Sequence, residues 1–256
     1  MPADAVALGR VLRYERMMRE IFAECRRVVK DNGMMTLMFM HTSQDAWKAI
    51  NTSLIEGGWE INATFPVESE TAALKDDAGN ARSSIFISCR KRRTDARSPA
   101  SWTGVGSPGV RQQIRSAAEE ALRQFEPLRL NPIDEMVACY GRALQVLSEH
   151  WPVMDGDEPV SPGRAMNEAS SVVAANQIKR ITKGRITVSE LDGETRMALT
   201  MFGVFGLAEF AWDEALNCQA HTDRGAGEPD AAMATRDGVE IPVAVRLRPI
   251  GLAAAP

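Results

Sequence analysis

The sequence predicts an α/β region followed by an all-α region, the first of them an incomplete doubly wound sheet. Three observations carry this. Up to residue 95 the chain alternates helical periodicity with short apolar runs, in the order helix, strand, helix, strand, long loop, strand. One run, Met34 through Met40, is nearly unbroken, the pattern of a strand buried on both faces of a parallel sheet. Beyond a Pro/Gly/Ser-rich stretch at 94–109, only helical periodicity follows.

The first helix is expected over 11–30, where Leu12, Tyr14, Met18, Ile21, Phe22, Cys25, Val28 and Val29 recur three or four residues apart. Asp31, Asn32 and Gly33 stop it, Gly33 being read as a left-handed C-terminal residue. After the strand at 34–40, Thr42 and Asp45 have capping-box spacing. The helix they open carries Trp47, Ile50 and Leu54 on one face and ends at Gly57-Gly58. Residues 60–65 alternate as a strand that Pro66 closes, and a polar connector leads to a third strand over 84–89. In the helical region, the periodicity predicts helices over 110–125, near 133–150 behind Asn131-Pro132, from Ser161-Pro162 to about Arg180, and from Asp192 onward. The Met and Phe stripe at 197–205 reads as core.

A strand as apolar as 34–40 needs neighbours on both edges and helices on both faces. Two further strands and two helices cannot provide them. The expectation is that the chain starts inside a doubly wound domain, with the first half of the sheet missing or supplied by another chain. An uncovered strand edge also predicts association of the isolated protein. The domain assignment that follows is 1–93 for the α/β part, 94–109 as linker, 110–217 for the helical part, and 218–256 as a tail without order.

Thirty Lys and Arg against 34 Asp and Glu give a net charge of −4. This excludes a generally basic nucleic-acid coat while leaving room for a local basic patch. No apolar run approaches the length of a membrane span, and no signal-peptide core is present, so a soluble cytoplasmic chain without membrane contact is expected. Cys25, Cys89, Cys139 and Cys218 are scattered, as are His41, His150 and His221, so no metal site is expected.

Residues 24–33 and the strand after them resemble the late strands of class I S-adenosylmethionine-dependent methyltransferases. His41-Thr42-Ser43, Asp45-Ala46-Trp47, Gly57-Gly58-Trp59, Thr64 through Glu70 and Ser83 through Arg92 narrow the resemblance. Together they are similar to the large bacterial and archaeal DNA adenine methylases linked to anti-phage defence, which carry an N-terminal domain of unknown function. Asp155 through Ser161, Leu191 through Arg196 and Trp212 through Leu216 fit that family's C-terminal region, so the resemblance covers about residues 11–217. It implies that 34–40 is the fifth strand of a seven-stranded sheet and that 60–65 and 84–89 are its closing antiparallel pair. It further implies the strand order, with 84–89 between the other two and antiparallel to both.

Methylating an adenine amine needs a strand, Gly-rich turn and helix for the cofactor, and a (Asp/Asn/Ser)-Pro-Pro-(Tyr/Phe) loop for the flipped base. All 13 prolines here are isolated, and the two tyrosines, Tyr14 and Tyr140, fall on helical faces. Gly104 through Gly109 match GxGxxG, but no apolar strand feeds them, so they read as linker. No catalytic, cofactor-binding or metal-binding residue is therefore expected in this chain.

Two weaker candidates remain. His41 ends the apolar strand, where open α/β sheets place ligand crevices, and is a candidate for the substrate cleft; a strand-end histidine bonded to backbone is the competing reading. Arg90, Lys91, Arg92 and Arg93 form the one basic cluster, a candidate contact for DNA phosphates or simply a solvated strand end. Arg26, Arg27 and Lys30 read as charges complementing a helix dipole. The expected function is the C-terminal part or subunit of a DNA adenine-N6 methyltransferase, inactive alone. S-adenosylmethionine would be the cofactor of the complete enzyme only, with DNA and a complementary N-terminal methyltransferase chain as partners. A stand-alone helical module that binds a protein, and one chain of a split enzyme, are the alternatives.

Overall fold

In the computed structural model, the described residues are 3–41, 44–69, 82–93, 98–104, 106–187, 190–192, 195, 198, 199 and 202. The helix expected from Asp192, the stripe at 197–205 and the tail from 218 lie largely or wholly outside them. The elements are α1 (Ala3–Val28), β1 (Met34–Phe39), α2 (Gln44–Glu56), β2 (Trp59–Glu68), β3 (Ser83–Lys91), β4 (Ala100–Ser101), α3 (Val110–Phe125), a 3-10 turn (Glu126–Leu128), α4 (Pro132–Glu149), β5 (Val153–Asp155), β6 (Glu158–Pro159) and α5 (Pro162–Ile181). The fold is mixed α/β with two small sheets. No helix among the described residues is long and apolar enough to cross a membrane.

The main sheet runs β1-β3-β2, with β3 antiparallel to both neighbours. This is the strand order expected from the sequence. Residues directly opposite one another share a sheet face, so the register sorts the side chains. Leu37, Ile87 and Thr64 lie in one row on the covered face; Met38, Phe86 and Phe65 lie in the neighbouring row on the other. Ile85, Ile87 and Cys89 are buried on the first face, together with Trp59 and Ile61. Met38 and Phe65, on the second, are 60% and 46% exposed.

Helix α4 covers β2 closely. A Cβ on Gly141 would sit 2.8 Å from Thr64 Oγ1, so the approach requires glycine at that position. Ser148 Oγ accepts the Ile61 amide at 2.9 Å beside the β2–β3 register shift between Ile61 and Ala63, satisfying a buried backbone donor. The N-terminus of α4 is capped as its sequence predicts: Asn131 Oδ1 accepts the Asp134 amide at 2.8 Å, with Pro132 at the first helical position.

Several expectations need correction. Strand β1 is not buried on both faces: its residues alternate between exposed and half-exposed, because β1 is an edge strand with one neighbour among the described residues. Helix α1 starts at Ala3 rather than 11, and Tyr14, Ile21 and Val28 of its expected apolar stripe are exposed while Phe22 is buried. Gly33 is not left-handed; a Cβ there would instead meet Val29 Cγ1 at 2.6 Å, so glycine answers a need for space. Pro66 does not end β2, which continues to Glu68; on an edge strand its missing N–H costs no ladder bond.

The segment 94–109 is not a free linker. Its described part holds β4, which pairs in parallel with β5, and Trp102, which is 1% exposed. The chain divides into two compact units at another place, Met1–Val173 and Ala174–Pro256, so α4 and the main sheet belong to one unit. Burial of Trp102 and the seating of α4 on β2 join what composition alone separates. In the second unit, the described residues include the end of α5 and the turn that follows it, where Lys183 is left-handed with φ 53°.

Candidate functional site

The sheet has two ends of different chemistry, separated by the six residues of β1, about 20 Å at the rise of a strand. Ligand crevices of open α/β sheets lie at the carboxyl ends of the strands, here the end where β1 delivers His41.

His41 is exposed, and its ring stacks on Phe39 with centroids 6.4 Å apart. Its backbone carbonyl accepts Trp47 Nε1–H at 2.8 Å, and Trp47 meets Phe39 edge-on at 4.8 Å. Trp47 is fully buried, so the start of α2 holds the end of β1 in place. Thr42 and Ser43 lie outside the described residues.

Across the sheet at the same end is a cleft of about 360 Å³ between the end of β2, the start of β3 and the turn before α4. Phe65, Leu128, Arg82, Arg129 and Asp134 are among the residues that line it. Asp134 is buried, and its Oδ1 accepts the amides of Arg82 and Ser83, each at 3.0 Å. Burial pushes its carboxyl above the ordinary value, while the amide hydrogen bonds from Ser83 and Arg82 pull it back. Asp134 therefore ties the first turn of α4 to the first residue of β3. Sequence reasoning passed over it; its third position after the Asn131 cap was the available signal.

The basic cluster sits at the opposite end, so the structure does not bring it together with His41. Arg90 Nη1 donates to the Asn32 carbonyl at 3.1 Å, and Lys91 Nζ pairs with Asp31 at 3.0 Å. Arg92 donates to the carbonyls of Ile55 at 3.1 Å and Trp59 at 2.8 Å. Arg93 is exposed. Arg26, read from sequence as a helix-dipole charge, joins them by donating to the carbonyls of Gly58 at 3.0 Å and Arg92 at 3.1 Å.

Both tyrosines fall on helices. Tyr14 lies on α1, and Tyr140 is buried with its hydroxyl 3.1 Å from Ser170 Oγ. The Cys89 thiol is pushed up to about 12 by burial, and burial pushes Cys139 up as well, so neither is a thiolate at neutral pH. Among the described residues no three His, Cys, Asp or Glu are grouped to hold a metal ion.

The Gly-rich turn before α3 follows the two-residue strand β4, Ala100–Ser101, which is not the apolar strand a dinucleotide turn needs, and it is closed on itself. A Cβ on Gly104 would fall 2.2 Å from Ser107 O, and the Arg111 amide of the first helical turn donates to Trp102 O at 3.0 Å. Comparison with protein-family models, with curated proteins and with solved structures finds no match to this chain.

Proposed function

We propose that this chain is the C-terminal part or a subunit of a DNA adenine-N6 methyltransferase, completing the sheet of an enzyme whose cofactor turn and catalytic loop lie on other residues. The observation that carries the reading is the main sheet. An apolar strand with a helix before and after it is followed by an antiparallel pair in which the later strand is central. That order, with β1 left as an edge, is what the motif resemblance implies for the close of a methyltransferase sheet. Among the described residues β1 has a neighbour on one edge only, which also supports a complementary chain as partner, since a strand this apolar is otherwise covered.

Within this reading His41 faces the substrate crevice from the end of β1, S-adenosylmethionine belongs to the assembled enzyme, and DNA is the substrate. The test is methyl transfer. The purified chain, given duplex DNA and tritiated S-adenosylmethionine, incorporates no label and shows no cofactor binding by calorimetry. Coexpressed with a polypeptide from an adjacent reading frame that carries the Gly-rich turn and the Pro-Pro-aromatic loop, it forms a complex that does incorporate label. Micromolar cofactor affinity of the chain alone, or failure of such a polypeptide to bind it, overturns the reading.

A further inference from the structure

No further inference is drawn: the strongest candidate, the exposed apolar stripe of Tyr14, Met17, Ile21 and Val28 along helix α1, carries none because nothing in the structure shows what covers it.

Discussion

Strands β1 and β3 are neighbours with opposite environments, although β1 is the more apolar of the two. Ser83–Lys91 places Ile85, Ile87 and Cys89 at 1% exposure or less, whereas Met34–Phe39, with five apolar residues of six, buries none. The difference lies in position: β3 has a strand on each side and α4 near one face, while β1 has one neighbour among the described residues. Apolar character in a strand records the cover it is suited to, and β1 carries more of it than its surroundings use.

The contrast is sharpest in two truncations. Ile87→Ala removes a side chain that is 1% exposed from the centre of the sheet and is expected to cost about 2–5 kcal/mol of stability in urea denaturation. Met38→Ala, one residue from the position opposite Ile87 but on the exposed face, is expected to change stability by about 0.5 kcal/mol or less. Similar losses at both sites would show that β1 is covered and the comparison unfounded.

Asp134 tests how the buried end of β3 is held. Asp134→Ala leaves the amides of Arg82 and Ser83 without an acceptor and is expected to cost about 2–3 kcal/mol. Asp134→Asn keeps an Oδ1 acceptor and is expected to cost much less at pH 7. The carboxyl is raised in the folded state, so the fold holds its proton longer than the unfolded chain does. Its contribution is greatest below the unfolded value of about 3.9 and declines as pH rises through the raised folded value. Asp134→Asn is expected to lack that part of the slope when urea midpoints are measured from pH 3.5 to 7. An identical profile in the variant would place the carboxyl's interactions equally in both states.

The helices and the three strands of the main sheet up to α5 were legible because each carries its own local signal, whereas β4, β5 and β6, two or three residues each in a region read as linker and helices, were not. Asn131-Pro132 announces α4, Ser161-Pro162 announces α5, and the run at 34–40 announces β1. The strand order followed from the motif resemblance. What stayed hidden depends on contacts across long stretches of chain. Trp102 looks like linker until β5 pairs with the residues before it, and Arg26 looks like a dipole charge until the Gly58 carbonyl meets it, 32 residues away. His41 was correctly placed at the end of β1, but the basic cluster proved to lie at the other end, which no spacing along the chain reveals.

The smallest effect on stability falls on the edge of β1, where association rather than folding is the readout. Strand β1 has no proline, charge or bulge to discourage pairing, and Met38, Phe86 and Phe65 form a row across the more exposed face. The wild-type chain is therefore expected to associate in a concentration-dependent way in light scattering. Leu37→Lys is the wrong remedy, because Leu37 shares the covered face with Ile87 and a charge there would be partly buried. Met38→Lys puts the charge on the exposed face, 60% open to solvent, opposite Phe86. It is expected to move stability by about 0.5 kcal/mol or less while shifting the scattering toward monomer. A complementary strand supplied by a second chain would have the same effect on scattering by occupying the edge. A wild-type chain that stays monomeric at high concentration would mean that the edge is already paired, and the comparison of β1 with β3 would then reflect sequence rather than a missing neighbour.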